Sequence, residues 1–412
     1  MRIKSIVGLS VALLLFTSCS RNYGAEETEV TPTPSLSSEV PPEKTETPEI
    51  EDVPEMVTRS LLMEGNNARI KKVIERAKQG EEITMAFLGG SITEGYNAKT
   101  EEIYAKRTYE YFADTYSTRD KVHYVNAGLS GTPSMLGLIR ADRDILTYEP
   151  DIIFIEFAVN DGGSLLDKQA YESLVRKCLT MENEPAVILL FSYLESGYTC
   201  QDQMQVIGFN YKLPGISVKN AIAPEIEAKT MEWSDWADDE AHPNANGQKL
   251  YSEFIIHYLK QAEKAETDEP AQLPERMVNG SDLSKMKLFD RSNLTLTDSG
   301  DFKEGSAHPK FSQSWIKEKT ETSNEPFTFS FEGKALFMVF KEVSGDTFGT
   351  AEVYIDGEKA TMAKGGTPSG WNNPATTLIF SEKESKTHKV EIKMAEGEEA
   401  KGFAILAFGI CE

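Results

Sequence analysis

Residues 83–91 read Ile-Thr-Met-Ala-Phe-Leu-Gly-Gly-Ser, an apolar run that ends in two glycines and a serine. A short apolar run bounded by glycine predicts a buried β-strand that leads into a sharp turn. Comparable runs recur at residues 122–125, 152–157 and 187–191, with a weaker one at 216–218. Helical patterns lie at 66–79 before the first strand, at 135–147 and 167–180 between strands, and at 244–264 after the last strand. Apolar strands that alternate with helices predict an α/β fold, with a parallel sheet covered by helices on both faces.

The pattern changes near Asp268. Beyond it, alternating strand patterns separated by turns occur at 327–331, 335–340, 351–355, 377–380, 389–394 and 402–408. Short strands at this spacing predict an antiparallel β-sandwich, for which we expect a jelly-roll-like form. A chain of 412 residues also favours two domains over one. We therefore predict an α/β domain over residues 56–268 and a β-sandwich domain over residues 269–412.

The N-terminus has the composition of an export signal. Residues 1–4 are basic and residues 6–16 are apolar, a run too short to span a bilayer, which predicts a signal peptide over residues 1–19. Phe16-Thr17-Ser18-Cys19 resembles a bacterial lipobox with Phe16 in place of the usual Leu, and lipidation of Cys19 would make it the first mature residue. An ordinary secretory signal in which Cys19 is incidental stays open. Both alternatives predict an extracytoplasmic protein, either anchored by lipid at the bacterial cell surface or secreted.

Residues 20–55 are rich in Pro, Thr, Ser and Glu. Such a segment buries too little apolar surface to offset its ordering entropy, so we expect a disordered tether.

The formal net charge of −23 argues against nucleic acid as a partner and against adsorption to an anionic membrane surface, because both require a basic face. Cys178, Cys200 and Cys411 show no disulfide framework and no metal-ligand spacing, so we expect buried thiols.

Four segments that carry reactive or polar groups follow predicted strands or precede the last helix, the positions at which parallel sheets collect functional residues. They are Gly89-Gly90-Ser91, the glycine-rich segment 126–134, Asn160-Asp161-Gly162 and the segment from Asp239 to Pro243. Taken singly, each of the first three is also compatible with an ordinary loop or turn. The last one places a carboxylate three residues before a histidine, which can hold the imidazole in one tautomer as the base for a serine nucleophile. Ala307-His308-Pro309 repeats Ala241-His242-Pro243 but has Gly305 where Asp239 would be, so we interpret His308 as a loop residue.

In order and placement, these segments resemble the four blocks of the SGNH (GDSL-like) hydrolase superfamily, over residues 60 to about 265. Two departures are visible: Gly90 replaces the common Asp before the serine, and Ala158 replaces a Gly before Asn160. The resemblance implies a doubly wound, flavodoxin-like sheet of five parallel strands. It also implies a Ser91, His242 and Asp239 triad that works through an acyl-enzyme, with no metal or cofactor. Ser91, Gly131 and Asn160 would form the oxyanion hole, with Gly128 as the alternative glycine. Some related carbohydrate esterases work without the Asp, which makes Asp239 the least secure member.

The sequence leaves the substrate open. A surface lipoprotein that joins such a hydrolase to a β-sandwich resembles bacterial carbohydrate esterases, which implies an O-acyl, in particular O-acetyl, polysaccharide as substrate. Trp371 lies in the predicted loop Gly370-Trp371-Asn372 and could stack on a sugar, or it could anchor the loop within its own domain. A lipid esterase or lysophospholipase of the same mechanism and a non-catalytic glycan-binding lipoprotein remain alternatives. We see no long apolar lid of the kind expected in a lipase, and the presence of all four catalytic residue types disfavours the binding protein.

Overall fold

The computed structural model describes residues 53–319 and 323–412. The predicted signal peptide, the lipidation of Cys19 and nearly all of the predicted tether lie outside these residues. Pro54 precedes the first helix, so the described chain enters its first element within two residues. Within the described part, no helix is both long enough and apolar enough to cross a membrane.

The first region is an α/β structure. Its strands are β1 Leu61–Met63, β2 Ile83–Gly89, β3 Val122–Gly128, β4 Ile152–Glu156, β5 Ala186–Phe191 and β6 Gly215–Ser217. Its helices are α1 Glu55–Arg59, α2 Ala68–Lys78, α3 Ser91–Glu94, α4 Tyr104–Tyr116, α5 Ser134–Asp144, α6 Leu165–Leu179, α7 Gln201–Tyr211, α8 Val218–Ala228, α9 Trp233–Trp236 and α10 Ala245–Lys264. Two 3₁₀ turns lie at Thr100–Glu102 and Leu146–Tyr148.

The sheet has the order β1-β6-β5-β4-β2-β3, and every neighbouring pair from β6 to β3 is parallel. This confirms the doubly wound, flavodoxin-like sheet of five parallel strands. The sequence analysis did not predict β1, a three-residue strand that pairs antiparallel with β6 at the edge. From β2 the chain continues to β3, its neighbour on one side, and then crosses to β4, its neighbour on the other side. The topological switch point therefore lies between the carboxyl ends of β2 and β4. Ligands of open α/β sheets bind at such a crevice.

Strand residues alternate between two cores. Met85 and Phe87 of β2 point to the face covered by α2, α4 and α10, whereas Ala86 and Leu88 point to the face covered by α5 and α6. All four are fully buried, which explains why the strand reads as one unbroken apolar run. Cys178, Cys200 and Cys411 are buried free thiols, as predicted.

The second region is a β-structure. Its strands are β7 Met286–Phe289, β8 Leu296–Asp298, β9 Lys303–Gly305, β10 Ser314–Lys317, β11 Phe327–Ser344, β12 Thr350–Ile355, β13 Glu358–Lys364, β14 Gly366–Thr367, β15 Asn373–Met394 and β16 Phe403–Cys411. All the pairs are antiparallel except the two-residue contact of β14 with β11. This confirms the predicted antiparallel sandwich. The predicted short strands at 327–331 and 335–340 are one long strand, because β11 continues through a register shift between Gly333 and Ala335.

The two regions share a hydrophobic core. Met286, Phe337 and Leu406 of the sandwich belong to the same buried cluster as Leu136 and Ile139 of α5. The approach is close: a Cβ atom at Gly409 of β16 would lie 2.6 Å from Cγ1 of Ile139. The described residues accordingly form one compact unit. The domain boundary predicted near residue 268 falls in the segment between α10 and β7 and stays a prediction.

Candidate active site

Ser91 is the first residue of α3 and follows β2 after Gly90. Gly90 is needed there because the side chain of Asn160 occupies the adjoining space: a Cβ atom at position 90 would lie 2.2 Å from Oδ1 of Asn160. The departure from the common Gly-Asp-Ser block thus has a steric reason in this chain. It also places the Asn160 carboxamide, at the end of the neighbouring strand, directly beside the serine turn.

His242 meets Ser91 across the sheet edge. Nε2 of His242 lies 2.9 Å from Oγ of Ser91, so the hydroxyl can donate to a neutral imidazole. Nδ1 of the same ring lies 2.8 Å from Oδ2 of Asp239, which fixes the tautomer that leaves Nε2 free to accept. The His242 side chain is 20% exposed and that of Asp239 is 40% exposed, so the pair lies at the protein surface.

The loop that carries this pair is held locally. Ala237 and Pro243 form an isolated antiparallel bridge that closes the loop. The other oxygen of Asp239, Oδ1, accepts hydrogen bonds from the backbone N–H groups of Ala241 and His242 at 2.8 and 2.7 Å. Partial burial opposes the charged form of Asp239, but these bonds and the His242 ring outweigh it and lower the pKa of the carboxyl. Asp239 is therefore an ionised orienting group for the imidazole.

Gly128 and Gly131, the two candidate oxyanion glycines of the segment 126–134, have different surroundings. Gly128 is packed against α3, where a Cβ atom would lie 2.1 Å from the backbone nitrogen of Glu94, and its own N–H donates to Oδ1 of Asn126. Gly131 is exposed and has a φ of +67°, a conformation that favours glycine. The N–H of Gly128 thus already has a partner, and Gly131 as the oxyanion donor stays a prediction.

Trp371 of the sandwich reaches this glycine. A Cβ atom at Gly131 would lie 2.6 Å from Cζ2 of Trp371, and the tryptophan is 53% exposed. The sequence left Trp371 as either a sugar contact or an anchor of its loop within its own domain. An anchor within its own domain alone does not account for a ring that lies beside Gly131. The sandwich therefore contributes a half-exposed aromatic ring to the border of the candidate site.

Three contacts at the site were missed by the sequence analysis. The backbone N–H of Ser130 donates to Glu94 at 2.8 Å, and its hydroxyl donates to the same carboxylate, which ties the glycine-rich loop to α3. Oδ1 of Asp161 accepts from the N–H of Ser134 at 2.6 Å and joins the third segment to the start of α5. Tyr96 packs on His242 with a centroid distance of 4.6 Å. For Asp161 the signal was present in the Asn-Asp-Gly turn, whereas a tyrosine in a loop after the serine carries no sequence signal.

Buried carboxyls lie below the site. Glu156, at the end of β4, and Asp161 are 0% and 2% exposed. Burial raises the pKa of each carboxyl to about 7, because its effect is larger than that of the hydrogen bonds, which lower the pKa. Glu156 could have been noticed as the one acidic residue in the apolar run 152–157.

His308 and His388 lie in the sandwich. His308 lies half-buried in a sandwich loop, bridged to Phe311, as its loop interpretation implied. Burial, mainly, lowers its pKa. Nδ1 of His388 lies 2.7 Å from Asp356, within the sandwich. Among the residues that the structure describes, no group of three or more His, Cys, Asp or Glu side chains is arranged to hold a metal ion.

Comparison with known proteins agrees with this architecture. Residues 87–250 match the GDSL-like lipase/acylhydrolase family. Two solved structures of a two-domain esterase active on acetylated mannans, one co-crystallised with mannopentaose, superpose with a TM-score of 0.77 at 28% and 29% identity. Each match covers 86% of this chain and 98% of the other. A search of curated proteins found no significant match. The chain thus contains an SGNH (GDSL-like) hydrolase domain joined to a β-sandwich domain, and it is a carboxylic ester hydrolase.

Proposed function

We propose that the protein is a serine esterase that removes O-acyl groups, in particular O-acetyl groups, from polysaccharides. The observation that carries the proposal is the continuous hydrogen-bond path from Ser91 through His242 to Asp239, at 2.9 and 2.8 Å. A serine hydroxyl at its free pKa is a poor nucleophile, and this path supplies the base that it needs.

In the proposed mechanism, Oγ of Ser91 attacks the ester carbonyl while Nε2 of His242 takes the hydroxyl proton. The new oxyanion receives hydrogen bonds from the N–H groups of Ser91 and Gly131 and from the Asn160 carboxamide. His242 then gives its proton to the departing sugar oxygen, the C–O bond breaks, and an acetyl-Ser91 remains. Asp239 stabilises the imidazolium in both steps, and water hydrolyses the acyl-enzyme through the same base.

The carbohydrate part of the proposal is supported by the two-domain neighbour. That esterase acts on acetylated mannans, and the match extends over both regions of this chain. The position of Trp371 beside Gly131 gives the sandwich a ring at the site, where it can meet a sugar. We therefore assign Trp371 a role in substrate contact and expect Trp371→Ala to weaken hydrolysis of sugar acetates.

The decisive experiment uses residues 53–412, assayed on acetylated mannan, acetylated xylan, peptidoglycan and long-chain p-nitrophenyl esters. We expect Ser91→Ala and His242→Ala to lose at least a thousandfold in turnover on the active substrate. His123→Ala is the matched control because it removes an exposed histidine at the amino end of β3, away from the carboxyl ends that carry the site, and it should keep wild-type activity. Absence of any Ser91-dependent hydrolysis would contradict the esterase. Activity confined to long acyl chains would favour the lipid esterase.

We also propose that the protein is anchored at the bacterial cell surface through Cys19. This rests on the sequence of residues 1–19, with residues 20–55 as an extended tether that like charge and proline keep long. Lipidation of Cys19 would show as a mass increase of the N-terminal peptide. Cys19→Ala should release the protein from the membrane fraction; membrane retention of this variant would contradict the anchor.

A further inference from the structure

Tyr96 holds a defined position next to the base. Its backbone N–H and that of Gly95 both donate to the carbonyl of Ser91 at 3.0 Å, so the loop that carries Tyr96 is tied to the serine turn. The ring lies 4.6 Å from the His242 imidazole, with an angle of 46° between the planes. Tyr96 is nevertheless 49% exposed, so much of its surface faces solvent beside the catalytic pair.

The reaction itself specifies what occupies that space. The proton that His242 receives must pass to the oxygen of the departing alcohol, so this oxygen has to come within hydrogen-bond reach of Nε2. The carbonyl oxygen is directed the other way, to Gly131 and Asn160. The alcohol therefore lies on the His242 side of Ser91, where the exposed part of Tyr96 borders the imidazole. An aromatic ring that packs on the base and is open on its other side is a surface against which a sugar ring can stack.

We propose that Tyr96 is a specificity-determining residue that forms a stacking platform for the sugar on the leaving-group side of the scissile ester. This inference rests on the proposed function and deepens it, since it distinguishes two aromatic contacts by the part of the ester that each one meets. Trp371, beside Gly131, borders the carbonyl-oxygen side, where it can contact another part of the polysaccharide. Tyr96, beside His242, meets the alcohol. The platform selects esters whose alcohol is a ring with an apolar face over esters of small open-chain alcohols.

The test compares two substrates that leave the same acetyl-enzyme. Acetylated mannooligosaccharides carry a sugar alcohol, whereas methyl acetate has no ring to stack. Tyr96→Leu keeps apolar bulk on His242 but removes the aromatic face, and we expect the ratio of kcat/KM for the sugar ester to that for methyl acetate to fall about tenfold. Tyr96→Phe keeps the face and should hold the ratio within about twofold of wild type. Phe209→Leu is the matched control, an aromatic that is 61% exposed on α7.

Each alternative has its own outcome. If Tyr96 only positions His242, Tyr96→Leu will lower kcat/KM equally for the sugar ester and for methyl acetate and will shift the pH profile of kcat/KM. This result would overturn the platform. If Tyr96→Phe loses as much of the ratio as Tyr96→Leu, the hydroxyl is responsible and stacking is wrong. Titration of Ser91→Ala with mannopentaose supplies a readout without turnover, and adding Tyr96→Leu should weaken its affinity by a similar factor. A wild-type enzyme without any Ser91-dependent hydrolysis would contradict the proposed function. An active Tyr96→Leu enzyme with an unchanged ratio of kcat/KM for the two substrates would overturn only the platform.

Discussion

The buried carboxyl of Glu156 makes the stability of this protein depend on pH in a way that one substitution can isolate. Glu156 is fully buried at the end of β4, beneath the serine turn. Its Oε2 accepts from the Thr93 hydroxyl at 3.3 Å, and hydrogen bonds with Ser192, Thr93 and the Gly90 backbone favour the charged form less than burial opposes it. Burial raises its pKa from 4.5 to about 7.

The sign follows from proton binding. Between pH 4.5 and 7 the folded state keeps the Glu156 proton while the unfolded chain loses it, so this group lowers the free energy of unfolding as the pH rises. The penalty is absent below pH 4.5 and complete above about pH 7. A shift of this size corresponds to about 3 kcal/mol. Glu156→Gln keeps the shape and removes the charge, so it should raise the free energy of unfolding by up to this amount at pH 8 and change it little at pH 4.5.

The assay is urea denaturation of wild type and variant at pH 4.5, 6 and 8. Differences between the two proteins are compared at each pH, because other carboxyls such as Asp239 and Glu263 have lowered pKa values and change stability in the opposite sense. Glu227→Gln, which removes an exposed carboxyl on α8, is the control and should show no such trend. A difference between Glu156→Gln and wild type that is the same at pH 4.5 and pH 8 would refute the reasoning, as would a variant less stable than wild type at pH 8.

Three further predictions follow from the site and the core. Asp239→Asn should lower turnover about thousandfold because it no longer holds the productive tautomer of His242; a variant with more than a tenth of wild-type turnover would show that the carboxylate is dispensable. Gly131→Ala should cost roughly 100-fold or more in turnover, since it strains a left-handed residue and collides with Trp371, which displaces an oxyanion donor. Adding Trp371→Ala relieves only the collision, so turnover of methyl acetate, which has no sugar for Trp371 to contact, should recover in part, and full recovery would contradict the strain. Deletion of residues 270–412 should give an aggregated product in gel filtration, because it uncovers the core shared with α5; a soluble monomer with a cooperative thermal transition would contradict a shared core.

Much of the fold could be predicted from the sequence because its signals are local. A parallel strand buried on both faces is predominantly apolar, so the segment 83–88 predicted β2 and the run 152–157 predicted β4. The same locality applied to Asp239 and His242, which are three residues apart and are oriented by hydrogen bonds within one loop. Ser91 was marked by its place at a strand end. Its catalytic role, and that of the pair, stays a prediction until the variants are assayed.

The parts that escaped prediction depend on contacts between distant segments. Ser91 and His242 are 151 residues apart, and only the parallel sheet brings the hydroxyl within 2.9 Å of the imidazole. Position 90 requires glycine because Asn160, from the turn after β4, occupies the space that a side chain there would need. β1 and the unbroken length of β11 likewise depend on partners far along the chain.

Tyr96 and Trp371 show most clearly the difference between what the sequence determines and what tertiary structure determines. As letters in a sequence, Tyr96 and Trp371 are loop residues with no periodicity and no motif. Tertiary structure places Tyr96 against His242 and Trp371 against Gly131. The sequence determined which chemistry we propose for the site, because the proposed nucleophile, base and orienting acid are marked by residue type and local position. Tertiary structure alone decided which surfaces surround the ester, because these surfaces come from separate elements that meet only when the cores beneath them pack.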